Sequence, residues 1–326
     1  KKPIVLVVNK LDNYKREELF EFYSLGLGDP IGVSSEQSKG FGDALEEVCN
    51  YLKKVEEEDK GDDIKVAVVG KPNAGKSSLV NKILGYDRTI VSDISGTTRD
   101  AIDTPFIYKG KNFTLIDTAG IRKKKAVDED VEYYSVIRAL ASVRRADVCL
   151  LVIDSKEGLT EQDVKIAGYI HEQGKPSVIV MNKWDIVEKD THTVEEFRKK
   201  LDCDLAFMDY YVAVYVSAKT GQRLEKVLDT AEKCLENARR RITTGTLNDV
   251  IADAVRMTEP PSKKGRRLKI YYSTQEGTEP PTFIIFVNNK DLVHFSYKRY
   301  LENVIRKTFD FSGTPIRIFF REKEEE

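Results

Sequence analysis

Eight consecutive residues, Gly70-Lys71-Pro72-Asn73-Ala74-Gly75-Lys76-Ser77, have the spacing GxxxxGK[ST] that wraps a chain of phosphates. Glycines let backbone N–H groups turn toward an anion, and a helix that starts where the loop ends points its positive dipole end at the same place. In that chemistry the Lys76 ammonium neutralises the β and γ phosphates and the Ser77 hydroxyl ligates Mg2+, while Ser78 carries the loop into the helix. A glycine turn that binds nothing is the bland alternative, and the elements that follow in order argue against it.

Asn182-Lys183-Trp184-Asp185 supplies the second chemistry. A carboxylate at Asp185 can accept both the ring N1–H and the exocyclic amine of guanine; adenine offers no such pair of donors and would leave the carboxylate unpaired. The aliphatic stem of Lys183 can lie on the base. Ser217-Ala218-Lys219 comes one element later and can offer a backbone N–H to the base carbonyl. The ligand expected is therefore GTP or GDP, with Mg2+. Asp117-Thr118-Ala119-Gly120 follows an apolar stretch ending at Ile116, so Asp117 can hold Mg2+ through water and the Gly120 N–H can sense the γ-phosphate. In Gly96-Thr97-Thr98-Arg99-Asp100 a threonine, Thr98 in preference to Thr97, can complete the Mg2+ shell.

The base-reading tetrapeptide occurs twice. Asn9-Lys10-Leu11-Asp12 is the other copy, with Ser34-Ser35-Glu36 as its weaker downstream partner, but no phosphate loop precedes it. On one repeated plan such a loop would lie roughly 110 residues before Asn9. The expectation is a first domain represented only by its last third, folded but empty of triphosphate, and a second domain that holds the nucleotide.

These residues need strand tips and helix starts to present them. Residues 3 to 8 form a short apolar run of the kind found in a buried parallel strand, with the first tetrapeptide at its carboxyl end. A helical stretch near Arg16 to Ser24, a strand near 30 to 33 and a helix from 42 to 54 complete that unit. Residues 55–63 carry acidic charge without apolar periodicity and read as a solvated linker. A strand at Ile64 to Val69 opens a longer alternation of strands and helices, with apolar strands at 113–116, 148–153, 177–181 and 212–216. Two short strands flank Lys109-Gly110-Lys111, which predicts one antiparallel hairpin at the sheet edge. Tyr133, Val136, Ile137 and Leu140 make the stripe of a helix packed on a sheet. From Thr244 on, the order changes to helix, basic loop (262–267), strand, strand, helix, strand, a small α+β domain.

Composition limits the alternatives. In 326 residues, 40% hydrophobic and 33% charged content with a mean hydropathy of -0.42 is that of a folded multidomain chain, and no apolar run reaches the roughly 20 residues of a membrane helix. A cytoplasmic protein with no membrane partner is expected. Cys49, Cys149, Cys203 and Cys234 are scattered without ligand spacing, so reduced thiols used mostly as core filler, and no metal cluster, are expected. With a net charge of -1, any nucleic-acid contact rests on local clusters such as Arg239-Arg240-Arg241 and Lys263-Lys264-Gly265-Arg266-Arg267. The run Arg122-Lys123-Lys124-Lys125 reads equally as a solvated face or as a surface that responds to nucleotide state. Tyr271, Tyr272, Phe283, Phe286, Phe319 and Phe320 read mostly as core.

Taken in order, the five nucleotide elements resemble a translation-factor-class GTPase of the P-loop NTPase fold, and with a preceding partial copy and an appended αββαβ module the chain is similar to the Der (EngA) family of bacterial GTPases with tandem G domains. The resemblance implies an α/β G domain with a mostly parallel sheet and helices on both faces, preceded by a partial G domain and followed by an α+β KH-like domain. The domains implied are 1–54, the linker 55–63, the complete G domain 64–242 and the KH-like domain 243–326. It implies GTP hydrolysis in assembly of the large ribosomal subunit, with rRNA as partner, and a monomer is expected. Ile121 stands where many GTPases place a water-orienting Gln and cannot do that work. In related GTPases with an apolar residue at this position K+ is implicated, held partly by the residue matching Asn73. No GxxG clamp lies between the elements of the last domain, which puts sequence-specific single-strand recognition by that route in doubt. Two other readings stay open: a nucleotide-binding RNA scaffold without turnover, and a tRNA-modification-type GTPase.

Overall fold

The computed structural model describes residues 4–10, 16–36, 40, 42, 44, 47, 48, 63–85, 89–91, 103–118, 130–263 and 265–322. The chain divides into two compact units, Lys1–Gly61 and Asp62–Glu326. Leu11, Asp12, Thr97, Thr98, Ala119, Gly120, Ile121, the run 122–125 and most of the acidic linker lie outside the described residues.

In the first unit, β1 (Val7–Val8) pairs in parallel with β2 (Ile31–Gly32), and a 3-10 helix spans Arg16–Leu25 between them. The run at 3 to 8 was expected to be a buried strand. Only its end pairs, and Ile4 and Val7 stay 59% and 44% exposed, because among the described residues this pair has no third strand beside it.

The second unit is built on a seven-stranded sheet. Its elements are β3 (Ile64–Val69), α1 (Lys76–Leu84), β4 (Thr89–Val91), β5 (Thr104–Tyr108), β6 (Lys111–Ile116), α2 (Asp130–Arg145), β7 (Val148–Asp154), α3 (Glu161–Glu172), β8 (Ser177–Asn182), α4 (Thr193–Asp204), β9 (Val212–Tyr215) and α5 (Leu224–Arg239). The strand order is β4-β5-β6-β3-β7-β8-β9, and β6, β3, β7, β8 and β9 are parallel neighbours. Because β3 pairs with β6 on one side and β7 on the other, the strand order reverses at β3, and the crevice beyond the carboxyl ends of these strands opens there. α1 and α5 bury Leu79, Ile83, Val227 and Leu235 on one face; α2, α3 and α4 bury Val143, Ile166 and Leu201 on the other. Covered on both faces, β7 has all seven residues buried, which is why Val-Cys-Leu-Leu-Val-Ile-Asp does not alternate.

The hairpin β5–β6 turns through Lys109 and Gly110, both at positive φ (49° and 78°), the primed-turn geometry that glycine favours. It is not the edge: β4, a strand absent from the sequence reading, pairs antiparallel outside it.

The small domain carries α6 (Thr244–Met257), β10 (Ser262–Lys263), β11 (Arg266–Arg267), β12 (Ile270–Gly277), β13 (Thr282–Val287), α7 (Phe295–Thr308) and β14 (Arg317–Glu322). β12 runs antiparallel and β14 parallel to β13, and α6 and α7 pack Leu247, Ile251, Leu301 and Ile305 against Phe283, Ile285 and Val287. Two expectations are corrected. The basic stretch 262–267 is not an open loop but carries the hairpin β10–β11. Of the six strand aromatics only Phe283 is fully buried; Tyr272 and Phe319 are exposed because one face of this three-stranded sheet takes the helices and the other does not, and Tyr271 is exposed at the bulge between Ile270 and Tyr272. Of the cysteines, Cys149 and Cys234 are buried but Cys203 is exposed.

The small domain is bonded to the amino-terminal side of the large sheet. Gly313 donates to the Tyr210 carbonyl (2.7 Å) and accepts from the Ser177 N–H (2.8 Å), and the Arg317 guanidinium reaches the Glu172 carbonyl (2.9 Å). Nucleotide chemistry, if it resides at the strand carboxyl ends, is thus at the opposite end of β8 from this junction.

Candidate functional site

The loop after β3 has the backbone that close approach to an anion requires. Gly70, Asn73 and Gly75 have φ of 137°, 64° and 96°, positive values that glycine adopts freely and asparagine more readily than most other residues. A Cβ on Gly70 would lie 2.2 Å from the Val152 carbonyl oxygen and one on Gly75 would lie 2.1 Å from Asn182 Nδ2, so neither position has room for a side chain. α1 begins directly at Lys76, and its N-cap residue, Gly75, has no side chain with which to cap it, so the positive end of the helix dipole opens onto the loop. Lys76 folds over the loop, its Nζ donating to the carbonyls of Gly70 and Lys71 at 2.6 Å each. Lys71 itself pairs with Glu157. Ala74 is buried, Pro72, Ser77 and Lys71 are half-buried, and Asn73 and Ser78 are exposed.

The base-reading tetrapeptide starts on the last residue of β8. Asn182, 1% exposed, is a cross-brace: its Nδ2 donates to the Ala74 carbonyl (2.9 Å) and its Oδ1 accepts the Ala218 N–H (3.0 Å). The phosphate loop, the tetrapeptide and the Ser217-Ala218-Lys219 turn are thereby held by one side chain. The Ala218 N–H is thereby held by Asn182 in this structure. Lys183 has a φ of 60°, uncommon for a residue with a Cβ, and its Nζ donates to Asp154 Oδ2 at 2.6 Å. Trp184 does not face the crevice: its ring is buried against Phe197 (5.1 Å between ring centroids) and Tyr215 (4.4 Å), and its backbone N–H donates to the Val216 carbonyl. Its work is to pin the tetrapeptide to α4 and β9.

Asp185 carries the most informative electrostatics. The Ser217 hydroxyl, followed by Lys219 and Lys189 at longer range, holds its carboxyl below the usual range, so it is an anion at neutral pH. Its Oδ1 is enclosed and has no hydrogen-bond partner. A buried carboxylate oxygen without a donor is costly unless a ligand supplies one.

On the other side of the loop, Asp117 follows β6 at a φ of 54° and its N–H is held by Asp103 Oδ1 at 2.9 Å, while Arg145 of α2 pairs with the same Asp103. Thr118 is buried and its hydroxyl meets that of Thr104 at 2.8 Å. Ser77 and Asp117 offer hard oxygen donors of the sort Mg2+ takes together with phosphate and water, and among the described residues there is no cluster of three or more His, Cys, Asp or Glu that would cage a metal by itself. Sequence reasoning passed over Asp103 and Asp154. The signal for Asp154 was available: an acidic residue closes a strand that is otherwise wholly apolar, at the strand end facing the crevice.

The first unit repeats the base-reading geometry in miniature. Asn9 Oδ1 accepts the N–H groups of Lys10 (2.8 Å) and Ser35 (3.1 Å) and the Ser35 hydroxyl (2.9 Å), and Lys10, like Lys183, has a positive φ, 73°. Ser35 thus answers to Ala218, with one hydroxyl bond added.

Comparison with known proteins agrees with this geometry. A family model described as "50S ribosome-binding GTPase" matches residues 65–183, and one described as "KH-domain-like of EngA bacterial GTPase enzymes, C-terminal" matches residues 241–321. The GTPase Der of Clostridium botulinum (strain Langeland / NCTC 10281 / Type F) is 55% identical, the match spanning 100% of this chain and 74% of that protein. The GTPase Der of Alkaliphilus oremlandii (strain OhILAs) is 54% identical over 99% of this chain and 74% of its own length. Among solved structures, Aquifex aeolicus Era bound to GDP.AlF4- aligns at 23% identity with a TM-score of 0.41, over 80% of this chain and 93% of that one, a likeness too loose to place any residue.

Proposed function

We propose that this chain, which belongs to the GTPase Der family and is a GTP-binding switch that hydrolyses GTP, does its chemistry in residues 64–242, with guanine read at Asn182 to Asp185 and not at the first tetrapeptide. The observation that carries this reading is the enclosed, unpartnered Asp185 Oδ1, fixed to the phosphate loop through Asn182. An ionised Asp185 accepts the two donors on the Watson–Crick edge of guanine, and the Lys183 stem covers the base.

The phosphates lie along 70–77. Lys76 exchanges its loop carbonyls for β and γ oxygens, and the uncapped start of α1 adds N–H groups and dipole. Ser77, Asp117 and Thr98 are the residues that would hold Mg2+, which neutralises charge developing on the phosphate oxygens during transfer to water. The Gly120 N–H senses the γ-phosphate. Since Ile121 has no donor or acceptor to align that water, K+ held partly by Asn73 is assigned the missing charge, and Asn73 is exposed on the loop where an ion beside the phosphates can reach it.

The large ribosomal subunit is the proposed target, in a cytoplasmic setting. Exposed Lys263, Arg266 and Arg267 on the small hairpin, exposed Tyr272 and Phe319 on the open sheet face, and exposed Tyr271 at the bulge before Tyr272 support an RNA-facing surface there. The test compares GTP hydrolysis in K+ and Na+ for this chain and for Asn73→Ala, alongside co-sedimentation with large-subunit particles over a salt series. A rate higher in K+ that Asn73→Ala abolishes is expected, with binding that weakens as salt rises. Equal rates in the two salts would refute the K+ assignment, and co-purification with tRNA in place of the particles would refute the target.

A further inference from the structure

The chemistry above leaves a buried carboxylate beside the base-reading tetrapeptide without a role. Asp154 ends β7, is 3% exposed, and stands opposite Asn182 in the β7–β8 register. The Ser155 N–H donates to the Asn182 carbonyl (2.9 Å), so this strand end and the base-reading tetrapeptide are one hydrogen-bonded piece. Asp154 Oδ1 is occupied by the Lys156 N–H (2.9 Å), which fixes the carboxylate plane, and Oδ2 takes the Lys183 ammonium at 2.6 Å.

We propose that Asp154 is a positioning residue for guanine recognition: it tethers the Lys183 ammonium, and the lysine's aliphatic stem is thereby held as one wall of the base slot. The proposal rests on the reading of Asn182 to Asp185 as the guanine site. A lysine side chain has four rotatable bonds, and a stem free to sample them makes a poor wall; anchoring both ends, the backbone at Asn182 and the ammonium at Asp154, leaves it one path. The tether acts on the side chain and not on the backbone. Lys10 of the first unit has the same left-handed backbone, φ 73° against 60°, in a different setting, so the turn is a property of the tetrapeptide itself. Burial pushes the Asp154 carboxyl up, but Lys183 and the Lys156 N–H outweigh it and hold the group below the usual carboxylate range, so the pair is ionic at neutral pH.

The test measures binding of a fluorescent N-methylanthraniloyl-GDP to the full chain. Asp154→Asn keeps the size and one acceptor but removes the charge; it is expected to weaken binding about tenfold, mainly through a faster off-rate. Lys183→Met keeps the stem and cannot be tethered, and is expected to lose the same factor, so the idea does not depend on whether Asp154→Asn folds well. In the Lys183→Met background Asp154→Asn should add nothing. In turnover the loss should fall on KM for GTP more than on kcat. Either single variant binding as tightly as the unaltered chain would overturn the proposal, as would a full further loss on adding Asp154→Asn to Lys183→Met, which would assign Asp154 to the fold instead. An unaltered chain that fails to bind the fluorescent GDP at all would overturn the guanine-site reading on which this rests, a result distinct from either of these.

Discussion

Asn182 donates through Nδ2 to the carbonyl of Ala74 at 2.9 Å, joining the base-reading tetrapeptide to a phosphate loop more than a hundred residues earlier in the chain. The same amide accepts the Ala218 N–H, and the whole group is buried. Asn182→Ala would strand a carbonyl and an N–H together, at about 1–3 kcal/mol for each unsatisfied group. The expected result is a lower urea midpoint and loss of GDP binding, measured on the same protein; a variant with unchanged stability and affinity would contradict the cross-brace.

A second prediction concerns the junction of the two domains in residues 62–326. Gly313 has a φ of 72°, and a Cβ there would come within 2.0 Å of Cys234 Sγ and 3.3 Å of the Ser177 carbonyl oxygen. Gly313→Ala should lower stability through both backbone strain and the clash, by about 2 kcal/mol or more, and with it Tm. Adding Cys234→Ala removes part of the clash but none of the strain, so differential scanning calorimetry should find partial recovery.

Stability should also fall with mild acid. His171 lies at the same junction, its Nδ1 2.8 Å from the Tyr210 hydroxyl, with Glu302 and Arg306 of α7, Glu172 of α3 and Arg317 of β14 around it. Burial lowers its pKa, Arg306 and Arg317 lower it further, and Glu302 and Glu172 oppose them. The unfolded chain takes up a proton near the ordinary value of 6.5, where the folded imidazole stays neutral. Stability from this group is therefore whole above that value and lost as pH falls from it toward the lowered pKa. Tm measured between about pH 7.5 and pH 5.5 should drop less in His171→Gln than in the unaltered chain.

Much of this was legible in the sequence because it is local. The phosphate loop, the tetrapeptides and the buried strands such as Val148–Asp154 each announce themselves within a few residues, by glycine spacing or by an unbroken apolar run. What escaped was set by pairing across the chain. β4 is three residues long and gains its identity from lying beside β5, so no periodicity marks it. The aromatics of β12 and β14 were assigned to the core on residue type, yet alternation puts Tyr272 and Phe319 on the face that the helices leave open. Trp184 sits inside the guanine motif by position but turns into an aromatic cluster with Phe197 and Tyr215, a direction that spacing alone does not convey.

One guanine nucleotide, held at Asp185, is expected in a chain that carries two base-reading tetrapeptides. Calorimetric titration of GDP into the purified 326-residue chain tests this most directly, with emission from its single tryptophan, Trp184, as an independent reporter beside the slot. The expected result is one GDP per chain, no heat with ADP, loss of binding in Asp185→Ala and retention in Asn9→Ala. Two nucleotides per chain, or binding that survives Asp185→Ala and disappears in Asn9→Ala, would contradict it.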